Sequence, residues 1–457
     1  MDLFRKKAIL SAEESTGSFK QCLSAFDLTL MGIGAIIGAG VFVLTGVVAA
    51  TQAGPAIIFS YMIAGLACAF AALSYAELSS SIGGCGSAYG YAYAGFGEII
   101  AWIVGWDLLL EYSITVSTVS VGWSGYFNDL LMALNIHIPL SLLSAPENGG
   151  TINILAFSII LLLSFLLMMG IKSSARINNV MVFIKLSVIV LFIAVASTEF
   201  DPKYWVPFSP FGWPGIMHGA SLIFFAYVGF DAVSTAAEEA IHPQRDLPIG
   251  ILASLGVCTL IYIVVSGLLT GIVPFQTLNV TSPISHSLYT LGHQVVASLI
   301  GVGAVAGLTT VMLVLFYGLS RVFFAMARDG LLPGFFAVTG KRSKAPVRII
   351  LLCATLMAPL AGLVAIDDLA ELVNIGTLFA FMIVCCGVIV LHYTRPDLKR
   401  PFKTPLMPLI PSLGILSCGY LIMHLPAVTM MRFIIWMAIG MVIYFLFSRQ
   451  NSVAGKA

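Results

Sequence analysis

Charge is what this sequence has least of. Asp, Glu, Lys and Arg make up 9% of its 457 residues, hydrophobic types make up 59%, and the mean hydropathy is +1.01. An average soluble domain carries roughly 25% charged residues. A water-soluble fold of this length could not cover its surface with so few, so the usual division of length into domains of about 150 residues does not apply. Ten-residue segments of alternating polarity are missing too, which excludes an outer-membrane β-barrel. None of the eight cysteines forms a Cys-x-x-Cys pair and the seven histidines are scattered, so free apolar thiols are expected and a zinc site is not. No nucleophile–base or metal constellation emerges, which argues against an enzyme. No selectivity filter and no sizeable soluble domain stand out, which argues against a channel or a sensor.

What is present is a series of long apolar runs. Stretches of about 20 residues, enough for a helix to cross a hydrocarbon core of about 30 Å, recur between residues 27 and 448. Twelve spans are expected, near 27–50, 55–79, 98–130, 151–170, 178–198, 215–237, 249–273, 295–325, 347–366, 369–392, 408–426 and 430–448. Pro55, Pro139, Pro214, Pro248, Pro346 and Pro408 fall in or near the connections, as helix punctuation. The polar first 26 residues, with Arg5, Lys6, Lys7, Glu13, Glu14 and Lys20, read as a cytoplasmic tail and not as a cleavable signal.

The few charges are unevenly placed. With a cytoplasmic N-terminus, 19 of the 22 Lys plus Arg residues fall in cytoplasmic segments or helix ends, from Arg5 to Lys456. Only Lys203 and Arg432 fall outside, and Lys185 lies within a span. That bias places both termini inside. The cluster at Lys341, Arg342 and Lys344 fits the same signal and contact with anionic lipid. The run from Gly83 to Gly90 lacks the Gly-Lys-Ser/Thr ending of a phosphate loop and reads as a cytoplasmic hairpin.

Two spans carry signs of interruption. The first contains Gly32, Gly34, Gly38 and Gly40. Each glycine costs about 1 kcal/mol in a helix interior relative to alanine, so the helix either opens here or packs closely through small residues. The sixth span contains Phe224-Phe225-Ala226-Tyr227-Val228-Gly229-Phe230-Asp231. Breaks in corresponding positions of two halves point to a transporter's binding site, and an offset of five spans implies two inverted five-helix repeats. The division is a tail at 1–26, repeats at 27–198 and 215–392, two further helices at 408–448 and a tail at 449–457. An opened helix exposes N–H groups that attract anions and carbonyls that accept from an ammonium, which together match a zwitterion. Irregular backbone is tolerated at membrane depth where it lines a cavity.

At these residues the chain resembles the amino acid–polyamine–organocation (APC) superfamily of permeases, and most of all the bacterial relatives of the cationic amino acid transporters. The resemblance is carried by Phe26-Asp27 through Phe42, the run 105–112, Asn178-Asn179 leading to Lys185, and Phe224 to Asp231. Glu238-Glu239, Arg245 to Pro248, Arg328 to Pro333 and Asn374 to Leu378 extend it over almost the whole chain. It implies an all-α polytopic membrane protein of the leucine-transporter type, with helices 1 and 6 broken. The implied activity is amino acid uptake, often proton-coupled. It also implies a substrate carboxylate at the N–H groups near Gly38, Ala39 and Gly40, and an ammonium at the carbonyls of Ile36, Phe225, Ala226 and Val228. Many relatives have Ser or Thr where this chain has Ala39, so backbone groups must do more of that work here.

The buried charges are the remaining candidates, since one at the bilayer centre costs at least roughly 2.5–3.5 kcal/mol. Asp107 and Glu111 share a helix face; Asp107 reads as structural, and Glu111 fits structure or coupling. Asp231 is placed to bond N–H groups freed by the sixth-span break. Leu315, on the eighth span, is the candidate wall for the substrate's side chain. Such an apolar wall favours neutral, small to medium amino acids over arginine and lysine. Lys185 lies seven residues after Asn178, about 10 Å into its span at 1.5 Å per residue. It could snorkel. The alternative is that its ammonium replaces a coupling cation between the first and eighth spans, on carbonyls around Gly34 and Ala35, with proton loss releasing them. No cofactor beyond the proton and no nucleic acid partner is expected, though Thr309 and Thr310 leave a sodium site open. The location expected is the plasma membrane of a bacterial cell.

Overall fold

The computed structural model describes Arg5 and residues 23–82, 88–169, 175–340 and 345–453. The Gly83–Ser87 part of the expected hairpin, the Lys341–Lys344 cluster, most of the N-terminal tail and the side chains of Glu238 and Glu239 lie outside the described residues.

Every element among the described residues is helical. In chain order they are α1 Ala25–Ile36, α2 Thr45–Val48, α3 Ile57–Ser81, α4 Ala88–Gly95, α5 Glu98–Ala133, α6 Ile154–Met168, α7 Ala175–Thr198 and α8 Gly212–Ile223. There follow α9 Pro243–Ile272, α10 Pro283–Thr290, α11 Gln294–Arg328, α12 Val347–Leu363, α13 Ile366–Thr394, α14 Leu409–Ile422, α15 Ala427–Ile443 and α16 Arg449–Asn451. Wider π-helical turns at Gly40–Leu44 and Ala49–Ala53 flank α2. Tighter 3-10 segments at Phe224–Tyr227 and Phe230–Glu239 prolong α8. Among the described residues, eight helical stretches are long and apolar enough to cross a membrane, and α1, α6, α12 and α14 are shorter apolar helices. The expected spans are helical over most of their lengths, with ends shifted by a few residues. Pro248, expected in or near a connection, lies near the start of α9 but inside it, since that helix begins at Pro243. A proline is well placed in the opening turn of a helix, so the earlier Pro243 makes the start and Pro248 is carried inside.

The core is continuous across these helices, and α5 sits at its centre, packed against α6, α11, α12 and α13. Glu77 on α3 is buried, and its carboxylate takes the Arg400 guanidinium at 3.2 Å and the Thr404 N–H at 2.8 Å. This pins the connection between α13 and α14 to α3. Three tryptophans bind α15 to α5: Trp102 stacks on Trp106 at 5.5 Å and Trp106 on Trp436 at 4.5 Å. Their indole N–H groups donate to the carbonyls of Gly440, Trp436 and Trp106. At the far ends of the interrupted spans, Leu23 and Ala240 form a parallel backbone bridge, and the Ile241 N–H donates to the Leu23 carbonyl at 2.9 Å.

Candidate functional site

The two interruptions are real departures from helical geometry. α1 ends at Ile36; Ile37 is extended at φ −71°, ψ 100°, and helical turns resume at Gly40. In the sixth span, Val228 (φ −58°, ψ 131°) and Gly229 (φ 115°, ψ −11°) have the dihedrals of a type II turn. Its second central residue requires positive φ, which is why a glycine stands there. Of the two readings of the glycine cluster, both operate: the helix opens, and the opened segments pack closely. A Cβ on Gly40 would overlap the Ala226 backbone, and one on Gly229 would lie 3.0 Å from the Ala35 carbonyl oxygen.

Two of the four expected ammonium acceptors, the carbonyls of Ile36 and Ala226, are brought to one partner. The Tyr262 hydroxyl of α9 reaches the Ile36 carbonyl at 2.9 Å and the Ala226 carbonyl at 2.8 Å. A phenol has one hydrogen to donate, so it serves one of the two at a time. The Phe225 carbonyl accepts from the Val228 N–H at 3.2 Å. Tyr61 and Tyr227 close the same flank: the Tyr227 hydroxyl donates to the Tyr61 carbonyl at 2.8 Å, and both rings pack on Tyr262. On the side of the expected carboxylate, Gly38, Ala39 and Gly40 are fully buried where the helix restarts. The Ala39 side chain points at Gly122 of α5, whose absent Cβ would stand 3.5 Å away. A Cβ on Gly38 would touch both methyls of Val311 at 3.6 Å. The residue of α11 that meets the break is therefore Val311. Leu315 is buried one turn farther along.

Lys185 is entirely buried, and its ammonium donates to the carbonyls of Gly34 at 2.8 Å and Ile37 at 3.1 Å. The snorkelling alternative is thereby excluded. Gly34 was expected; Ile37 takes the place of Ala35. The cause is local: the extended ψ of Ile37 swings its carbonyl out of the helix, while the Ala35 carbonyl faces Gly229. Gly307 of α11 leaves room for the lysine's methylenes, since a Cβ there would come within 2.9 Å of Cγ and Cε. The lysine thus lies between the first and eighth spans. Thr309 and Thr310 donate to the Val305 and Gly307 carbonyls of their own helix, and Thr309 also accepts from the Trp123 indole at 2.9 Å. Among the described residues no His, Cys, Asp or Glu cluster could hold a metal ion.

The acids gather farther along. Asp107 and Glu111 are fully buried on α5 and face α13: a Cβ on Gly376 would sit 2.8 Å from an Asp107 oxygen, and Thr377 lies beside Glu111. The Asp231 carboxylate sits against the backbone N–H groups of Gly229, Asp231 and Ala232 at the break, as expected, and also accepts from the Tyr112 hydroxyl at 3.3 Å. That bond ties the second half of the sixth span to α5, one residue after Glu111. Sequence reasoning missed Tyr262, Val311 and Gly122. Tyr262 offered a signal, the one tyrosine within the apolar run of α9; the other two offered none.

Comparison with known proteins supplies the family. The family model described as amino acid permease matches residues 23–448. The chain is 51% identical to a branched-chain amino acid permease, BcaP, of Bacillus subtilis, over 98% of both chains. It is 48% identical to a methylthioribose transporter of the same organism over 99% of both, and 39% identical to the vacuolar cationic amino acid transporter 4 of Arabidopsis thaliana, over 82% of this chain and 64% of that one. These relatives are permeases and transporters, not enzymes. With its apolar helices and its match from the first span to the last, the chain belongs to the amino acid permease family of multi-pass membrane proteins.

Proposed function

We propose that the protein is a secondary amino acid transporter that couples uptake to protons through Lys185. In this reading the twelve apolar helical stretches all cross the bilayer, as two inverted five-helix repeats plus α14 and α15, with both termini in the cytoplasm of a bacterial cell. The substrate's carboxylate meets the N–H groups of Gly38, Ala39 and Gly40. Its ammonium takes over the Ile36 and Ala226 carbonyls from Tyr262 and adds those of Phe225 and Val228. An ammonium has three donors where the phenol has one, so the exchange satisfies acceptors that Tyr262 must alternate between.

The observation that carries the coupling is the pair of Lys185 hydrogen bonds to Gly34 and Ile37. They bracket the end of α1. While protonated, the ammonium holds the opened segment in one arrangement. Once the proton leaves, the amine carries no charge to hold both carbonyls, and the segment is free to rearrange. The onward step is assigned to Glu111 and Asp231, buried acids that face each other between α5 and the sixth-span break. The apolar flank at Val311 and Leu315 supports neutral side chains, as does the relative named as a branched-chain permease. Exchange of one amino acid for another would use the same site without net proton movement.

The test is uptake of labelled leucine and alanine into proteoliposomes with an imposed proton gradient, with and without sodium, and with arginine and methylthioribose as competitors. Proton-stimulated, sodium-independent uptake resisted by neutral amino acids is expected. Strict sodium dependence would remove the coupling role of Lys185, and stronger competition by arginine or methylthioribose would reverse the substrate class.

A further inference from the structure

A second polar site lies away from the broken backbone. A cavity of about 220 Å³ opens between the end of the first span, α8, the start of α13 and the turn joining α14 to α15. Gln52, His218, Ser221, Glu371 and His424 line it. In the proposed topology this is the outward side. The cavity adjoins the permeation machinery: the Asn374 amide, one turn after Glu371, donates to the carbonyls of Ser221 and Leu222 at 2.8 and 2.9 Å. Those residues lead directly into the irregular turn at Phe224–Tyr227.

Beside the His218 ring and the Ser221 hydroxyl, three side chains offer acceptors to this cavity. Oε2 of Glu371 takes the Thr429 hydroxyl at 2.6 Å, which leaves Oε1. The His424 Nδ1 lies 2.9 Å from the Tyr420 carbonyl. A carbonyl can only accept, so that nitrogen carries the hydrogen and the neutral ring's remaining nitrogen is an acceptor. The Gln52 amide adds a carbonyl oxygen. Asp367 and Asp368 share the first turn of α13, and Arg432 pairs with Asp368 at 2.9 Å. The local balance therefore favours a cation. Three acceptors around a small, open, anionic cavity fit an ammonium with three donors.

We propose that this cavity is an outer binding site for the ammonium group of a small amino acid or amine, occupied before the substrate reaches the broken helices. The proposal rests on the reading of the protein as an amino acid permease. It makes Glu371 the recognition group and predicts weaker discrimination of the substrate's other end than at the central site, where both carboxylate and ammonium are held.

Equilibrium binding of labelled leucine to the purified protein tests it, with 3-methylbutylamine (leucine without its carboxylate) and 4-methylpentanoate (leucine without its ammonium) as competitors. Wild type should show a tight and a weak event, the amine displacing the weak one and the acid not. Glu371→Gln keeps an acceptor for Thr429 but removes the charge. It should weaken the second event by about tenfold or more, as loss of a charge-assisted hydrogen bond does, and leave the tight event. Thr429→Val keeps the charge and should keep both. In Gly40→Leu only the weak event should remain, and adding Glu371→Gln should remove it. A weak event that survives Glu371→Gln, or one displaced equally by the acid, overturns the outer site while the central one stands. Loss of the tight event alone from wild type overturns the central site and leaves the outer one.

Discussion

The junction of α5 with α15 and the crossing of the two broken segments are both buried, both rich in polar atoms, and built on opposite terms. At the junction the helices are regular where they meet, and each indole N–H has its own carbonyl. Nearby, the Glu98 carboxylate takes hydroxyls from Tyr93, Tyr444 and Ser452. At the crossing the backbone is irregular, and its carbonyls depend on two side chains from elsewhere, Tyr262 and Lys185. A polar group with a private partner stabilises one arrangement. A carbonyl that relies on a hydroxyl or an ammonium can be handed to another donor, at the cost of about one net hydrogen bond, or 0.5–1.5 kcal/mol. The first pattern suits a frame and the second a part that changes state.

Substitutions can break that contrast, and the largest effect belongs to the crossing. Gly40→Leu and Gly229→Leu should abolish leucine uptake at equal membrane level, because the new side chains meet the Ala226 backbone and the Ala35 carbonyl. Near-normal uptake by either would mean that the breaks do not form the site. Next comes Lys185→Ala, which leaves the carbonyls of Gly34 and Ile37 without the ammonium. Binding should persist while the response of uptake to an imposed proton gradient disappears; a variant that still follows the gradient would assign coupling elsewhere. Tyr262→Phe should be milder, a change in leucine affinity of about fivefold for one hydrogen bond, measured by equilibrium binding. Trp106→Phe removes one donor of the frame. It should lower the melting temperature by a few degrees with affinity unchanged, and an altered affinity there would erase the distinction between frame and moving part. Thr310→Val, whose hydroxyl bonds only its own helix, should leave uptake within about twofold with or without sodium.

The sequence made the helices legible because their signal is additive: twenty apolar residues and a bordering proline or charge suffice. It made the breaks legible because glycine beside a polar residue in mid-span has a physical cost that demands a reason. What failed to come through depends on rotation and tertiary pairing. Val311 and Leu315 are one helical turn apart, and nothing in the run from Gln294 to Arg328 says which turn meets Gly38. Ile37 displaced Ala35 as a lysine partner because a single extended ψ decides which carbonyl leaves the helix. Tyr262 joins Ile36 across 226 positions of chain, a pairing that periodicity does not encode. For Asp231, the N–H groups of the break were expected, but the additional Tyr112 hydroxyl came from a different span altogether.

The backbone bridge between Leu23 and Ala240 has a mechanical consequence. It stitches the entrance of α1 to the exit of the 3-10 segment Phe230–Glu239, and the same two segments touch again where the Ala35 carbonyl rests on Gly229. Held at both ends, the two segments are tied into one unit, and in the proposed transport cycle a displacement of either would carry its companion with it.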